Sequence, residues 1–120
     1  MTQLSQNEIK KVRGLYDQQV ILMELAPYMS IGVQVVLSYI AIHPGCTMGE
    51  VIKATNYSQP SISRYIHDLS DAGRMKSSSE RAKGLNLLDI KVNPFNLRER
   101  MLHLSPQGYS LMRELLKVRD

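Results

Sequence analysis

Apolar residues recur along this chain at two spacings. Over most of its length the step is three to four residues, and near the end it becomes two, which predicts several helices and one hairpin. Ile9, Val12, Tyr16, Val20 and Met23 form a single apolar stripe. Ser5-Gln6-Asn7-Glu8 in front of it reads as a capping box, in which a hydroxyl and a carboxylate satisfy amides that a helix start leaves unpaired. With Pro27 interrupting the pattern, a long helix is predicted over 5–26. Ser30 caps a second helix carrying Val33, Val36, Leu37 and Ile40, and His43-Pro44-Gly45 stops it. The apolar surplus of that helix predicts burial on more than one side.

Two short helices follow. Thr47-Met48-Gly49-Glu50 is another capping box, placing Val51 and Ile52 inward and ending the helix near Asn56, with Asn56 or Tyr57 making the turn. Ser58 caps the next helix, Pro60 is tolerated in its first turn, where an amide has no partner, and Gly73 suits a left-handed cap at its end. On its helical wheel Ile62, Ile66 and Leu69 share one face with Tyr65 at the edge, whereas Pro60, Ser63, Arg64 and His67 point the opposite way. Residues 74–84 are polar, basic and without period, and are predicted to be a loop. Leu87 to Val92 and Met101 to Leu104 read as strands around Asn93-Pro94-Phe95-Asn96, a hairpin within 86–104. Ser105-Pro106 starts a last helix over 106–119 with Tyr109, Leu111, Met112, Leu115 and Leu116 as its apolar positions.

The 120 residues suggest one domain, 1–120, mainly α with a small β-hairpin. No apolar run approaches the roughly 20 residues of a membrane span, and the first residues lack the apolar stretch of a signal peptide, so a cytoplasmic, nucleoid-associated protein without membrane contact is expected. The formal charge is +4. The excess lies in the second half, where Lys53, Arg64, Arg74, Lys76, Arg81, Lys83, Lys91, Arg98 and Arg100 outnumber Asp68, Asp71, Glu80, Asp89 and Glu99 between residues 51 and 105. An anionic partner fits that distribution.

The order helix, helix, short helix, tight turn, helix, hairpin, helix is that of a winged helix-turn-helix, with the helix-turn-helix over 47–73. In such a unit the second short helix lies in the major groove of duplex DNA, whose width of about 12 Å admits one helix. Two stretches are similar to the MarR-type winged-helix regulators, over roughly Ser30 to Met112. One runs from Pro44-Gly45-Cys46-Thr47 through Tyr57-Ser58-Gln59-Pro60-Ser61-Ile62-Ser63-Arg64 to Leu69 and Ala72-Gly73. The other is Asn93-Pro94-Phe95-Asn96-Leu97-Arg98 followed by Leu104-Ser105-Pro106-Gln107-Gly108, which resembles the family's Asp-Pro-x-Asp-x-Arg wing and its Leu-Thr-x-x-Gly helix start.

The resemblance implies that Gln59, Ser61, Ser63, Arg64 and His67 face the major groove and that Arg98 sits at the wing tip near the minor groove, with Asn96 and Arg100 beside it. Arginine pairs with guanine or phosphate, glutamine with adenine, and serine hydroxyls with phosphate. Arg98 ranks ahead of Arg100 because it lies nearer the turn. Asn93 and Asn96 stand where the family has aspartates, so the carboxylate that would orient the wing arginine is missing. Arg74, Lys76, Arg81 and Lys83 could touch phosphate, although solvation is the default for such a run. The resemblance also implies a homodimer, with Ile9, Val12, Tyr16, Val20 and Met23 of the first helix and Tyr109, Met112, Leu115 and Leu116 of the last at the seam.

Catalysis is not expected. His43, His67 and His103 are not spaced as a ligand cluster, and no nucleophile elbow, phosphate loop or metal motif is present, so neither a cofactor nor a metal is called for. Cys46, the one cysteine, has no neighbour in sequence that would activate it. Tyrosines and methionines could line a small-molecule effector pocket, but no sequence feature demands one. Two further readings stay open: a winged-helix module that binds another protein, as an adaptor or anti-regulator, and a nonspecific DNA-binding accessory of replication or partition. Asp68 and Asp71 keep the first of these in play.

Overall fold

The computed structural model describes residues 3–27, 29–70 and 85–117. Where length alone suggested one domain, the chain divides into two compact units, residues 30–109 and residues 1–29 with 110–120. The elements are α1 (Gln6–Leu25), α2 (Ile31–Ile42), β1 (Cys46–Thr47), α3 (Met48–Thr55), α4 (Gln59–Leu69), β2 (Leu88–Asn93), β3 (Asn96–Leu104) and α5 (Pro106–Leu116).

Residues 30–109 hold a core in which one face of α2 packs on α3, α4 and β3. Val36, Leu37, Ile40, Val51, Ile62, Leu69 and Leu102 are its fully buried side chains. All but Leu102, which lies in the apolar run Met101–Leu104, are on the stripes that sequence periodicity assigns to the inside, and burying one such side chain contributes roughly 1.5–3 kcal/mol. Both central caps form as expected. Thr47 accepts from the Glu50 amide and Glu50 accepts from that of Thr47, while Ser58 accepts from the Ser61 amide. Asn56 supplies the left-handed residue between α3 and α4, at φ 62°, a conformation asparagine tolerates better than most residues.

Several expectations are corrected. α2 buries a single face: Ile31, Val35 and Ile42 are exposed, with Ile31 at 69% and Ile42 at 70%. They border an open groove of about 600 Å³ shared with Tyr39, Ala54 and Thr55. α4 ends at Leu69 rather than near Gly73, which lies outside the described residues. The reason is tertiary: the carbonyls of Asp68, Leu69 and Ser70 accept from the amides of Leu85, Leu87 and Asn86 respectively, so these backbone groups are committed to the strand approach. The strand β1 has no counterpart in the sequence reading, because two residues carry no period. Its Cys46 and Thr47 pair antiparallel with Leu102 and Met101, giving a three-stranded sheet of order β1-β3-β2.

β3 is also longer than the apolar run Met101–Leu104 implied, since it begins at Asn96. Its polar first half shows no apolar alternation because that part of the hairpin is largely exposed and is joined to β2 only at its ends, through the Asn93–Asn96 and Val92–Arg100 pairs with a register shift between them. The predicted basic loop, with Arg74, Lys76, Arg81 and Lys83, lies outside the described residues.

In the other unit, α1 has the expected capping box at Ser5 and Glu8. Hydrogen bonds from Ser5 hold the Glu8 carboxyl below its ordinary pKa. Gly14 is the buried residue of α1, and Gln18 Nε2 donates to the Leu115 carbonyl across 3.0 Å. Leu111 and Leu115 are buried. α5 ends at Leu116, short of the predicted 119, and residues 118–120 lie outside the described residues.

Candidate nucleic-acid interface

The site is built on α4 and the β2–β3 hairpin. α4 stands on its buried stripe Ile62, Ile66 and Leu69, and this burial points its polar face outward. Its entry is braced from both sides. Thr55 Oγ1 donates to the Val51 carbonyl at 2.8 Å and accepts from the Tyr57 amide at 3.4 Å. The Tyr57 ring then meets Tyr65 edge-on, with centroids 5.4 Å apart, an arrangement worth about 0.5–1.5 kcal/mol beyond the area it buries. Tyr65 lies against Gly32 of α2, where a Cβ would come within 2.7 Å of the ring. A glycine is required there by close approach. The turn, α4 and α2 are thereby locked together.

Of the residues predicted to read DNA, Gln59, Ser63, Arg64 and His67 are exposed together on the outer face of α4. Ser61 is not with them. It is half-buried, and its hydroxyl accepts from Ser58 Oγ at 3.0 Å, so it belongs to the helix start. The Arg64 guanidinium carbon is 5.6 Å from the Tyr65 ring centroid, at the outer limit for a cation–π contact.

The hairpin turns in two residues. Asn93 pairs with Asn96, leaving Pro94 and Phe95 at the tip, and the register is irregular between Val92 and Asn93. Asn93 is the organising residue: its Oδ1 accepts from the Phe95 amide at 2.9 Å, and its Nδ2 donates to Glu99 Oε1 at 2.7 Å. Glu99 therefore supplies a carboxylate to a wing in which asparagines stand where the family has aspartates. Asn96 Oδ1 accepts from the Arg98 amide at 3.3 Å. Arg100 folds its guanidinium onto the Leu97 carbonyl at 2.9 Å, whereas Arg98 is exposed and lies two residues behind the turn rather than at the tip. The residues at the tip itself were not singled out from sequence. Phe95 is 96% exposed and Leu97 72% exposed, and the available signal was an apolar pair inside an otherwise polar turn.

The hairpin is tied to α5 through Ser105. Its Oγ donates to the Asn86 carbonyl at 2.7 Å and accepts from the Gly108 amide at 3.0 Å, while its own amide donates to the Leu87 carbonyl at 2.9 Å. The Leu-Ser-Pro-Gln-Gly signature is thus a joint between the strand approach and the start of α5.

Cys46 is buried, and burial together with the neighbouring Glu50 charge pushes its thiol pKa up. Since the thiolate is the reactive form, native Cys46 is expected to react with an aromatic disulfide reagent at least about tenfold more slowly than the same chain in denaturant. Equal rates in the two states would show an open, activated thiol. Among the described residues no group of three or more His, Cys, Asp or Glu is placed to hold a metal ion, and no helix is long and apolar enough to cross a membrane.

A family model described as MarR family matches residues 35–73, which run from the middle of α2 past α4. No curated protein matches the chain in sequence. Among solved structures the chain is similar to MarR, at a TM-score of 0.61 and 15% identity over 95% of this chain and 74% of that one. It is similar to MepR of S. aureus in complex with DNA, at 0.65 and 16% identity over 88% of this chain and 74% of that one. The transcriptional regulator Tm0710 from Thermotoga maritima matches at 0.69 and 12% identity, over 93% and 68%. The chain thus has the winged helix-turn-helix fold of the solved structures it resembles, and its residues 35–73 are similar to the MarR family.

Proposed function

We propose that the protein is a homodimeric, sequence-specific DNA-binding regulator of transcription, acting in the cytoplasm at the nucleoid. The observation that carries this reading is the outer face of α4. Gln59, Ser63, Arg64 and His67 are exposed on one side of a helix whose opposite side is anchored in the core, in a fold similar to one solved on DNA. In this role α4 enters the major groove, Arg64 and Gln59 pair with base edges, and Ser63 and His67 bond phosphate or base. Arg98 reaches the adjacent minor groove, where narrow A·T-rich stretches concentrate negative potential.

The dimer places two copies of α4 on successive major grooves. The surface offered for it is the exposed stripe of α1, Ile9, Val12, Tyr16 and Met23, with Leu116 of α5 in the same unit; Tyr109, in the other unit, is also exposed. Val20 and Met112 are half-buried there, and Leu115 is buried within the chain and contributes packing rather than contact area.

Selection of bound oligonucleotides from a random pool tests the reading. The expected product is a two-fold symmetric site with half-sites about 10 base pairs apart, bound with steep loss of affinity as salt rises. On that site Arg64→Ala is expected to weaken binding by roughly 10- to 100-fold and to relax the preference at one position per half-site. Arg98→Ala is expected to weaken it about tenfold, across sequences. If gel shifts of both variants match the wild type, the assignment of these residues fails.

A further inference from the structure

The hairpin tip combines features that base and phosphate reading do not require. Phe95, the one phenylalanine of the chain, is almost wholly exposed, and Leu97 beside it nearly so. Ile90 and Val92 of β2 are also partly open to solvent. An isolated exposed apolar side chain needs no explanation, but here several are gathered on one projecting element.

The tip is also restrained at defined points, although the pairing of β3 with β2 skips from Asn96 to Arg100 behind it. Pro94 restricts its own φ, the turn has only two residues, and the Asn93 side chain ties the Phe95 amide to Glu99. A ring on such a turn is presented in a defined direction at little cost in entropy. Around it, among the described residues, the charge is positive: Lys91, Arg98 and Arg100 lie on the hairpin, and the carboxylate near the tip, Glu99, is turned to Asn93. The bond from Arg100 to the Leu97 carbonyl keeps a guanidinium beside the apolar pair.

A narrow, rigid, apolar point flanked by cations and asparagines matches an anionic surface with apolar slots. The minor groove of duplex DNA is such a surface, about 6 Å wide, edged by phosphates and floored by base-pair edges between which stacked faces can be opened. A protein partner would have to supply an acidic rim around an apolar pit of the same small size, and charge complementarity favours the duplex.

We propose that Phe95 is a wedge, entering from the minor groove between two stacked base pairs with Pro94 and Leu97 against their edges, so that binding kinks the duplex toward the major groove. This rests on the DNA-binding reading above and adds to it. Deformability of the contacted step then becomes part of site choice, with pyrimidine–purine steps favoured because they unstack most readily.

The test uses the full chain and the selected duplex, with 2-aminopurine placed at successive positions and fluorophores on the two ends. Wild-type protein is expected to raise 2-aminopurine fluorescence at one step in each half-site and to shorten the end-to-end distance. Phe95→Ala is expected to lose both signals and about tenfold in affinity while keeping the preference that α4 confers, and Phe95→Leu to retain part of each. Far-UV circular dichroism checks that both variants fold. Wild-type binding without unstacking overturns the wedge and leaves the DNA-binding reading standing. Unstacking that persists in Phe95→Ala also overturns the wedge, and releases the tip for a protein contact. Failure of the wild type to bind any duplex at low salt overturns both.

Discussion

Gly108→Ala is expected to destabilise the protein by about 3 kcal/mol, a loss of roughly 10–15 °C in Tm for a chain of this size. Gly108 is buried in the first turn of α5, and a methyl group there would overlap the Leu87 carbonyl oxygen. That oxygen is fixed backbone, already accepting from the Ser105 amide, so it cannot turn aside as a flexible side chain could. The Leu104 side chain, 3.3 Å from the same position, closes the other direction of escape. Relief requires α5 to move away from the strand approach, which breaks the Ser105 bonds to Asn86 and Leu87 and leaves buried polar groups unpaired. Gly49→Ala is the matched control. Gly49 is an exposed position in α3, where a Cβ meets only Thr47 Oγ1 at 3.8 Å, so helix propensity should make this substitution stabilising by up to ~1 kcal/mol. Urea or thermal melts of the two variants read the contrast directly. If Gly108→Ala melts with the wild type, the joint at Ser105 is far softer than its geometry implies.

Val12→Asp combined with Tyr16→Asp is expected to convert the proposed dimer to a monomer and to lower affinity for a two-half-site duplex by about 100-fold or more. Tyr16 is 62% exposed and Met23 64%, and with Ile9 and Val12 they form one side of α1. Two carboxylates in the middle of an apolar seam would have to be desolvated without partners, which a contact of a few helical turns cannot offset. Loss of the dimer turns a tethered second half-site contact into an independent one, which removes the gain from effective concentration. Binding to a single half-site should change little, because α4 and the hairpin are untouched. Light scattering gives the mass and gel shifts on one and two half-sites give the split. A wild type that scatters as a monomer, or a variant that remains dimeric, would remove α1 from the interface.

The helices were largely legible because their signals are local. Ser5, Ser30, Thr47 and Ser58 all cap helices as their spacing implied, and Asn56 makes the left-handed turn that separates α3 from α4. The inward stripe of α4 was likewise readable, since a period of 3.6 residues puts Ile62, Ile66 and Leu69 on one side whatever they pack against. The outward face followed from it, with Ser61 as the exception: its position on the wheel is compatible with reading, but its hydroxyl is used by Ser58. Elements sustained by distant partners were poorly legible. β1 is a strand because Leu102 and Met101 lie opposite it, and β3 reaches back to Asn96 because Asn93 pairs with it.

From sequence alone follow the caps, the inward stripes of α3 and α4, the order of the helices and the hairpin, and the polar residues on α4 apart from Ser61, because each depends on side chains within one or two turns of each other. Tertiary structure decided where α4 stops, since its last carbonyls are taken by residues 85–87, and why Gly32 and Gly108 are glycines, since Tyr65 and the Leu87 carbonyl occupy the space a Cβ would need. It also decided that Phe95 rather than Arg98 stands at the end of the hairpin. Which residue leads depends on the pairing of Asn93 with Asn96, a register set by backbone hydrogen bonds across two strands and not by the spacing of residues along one.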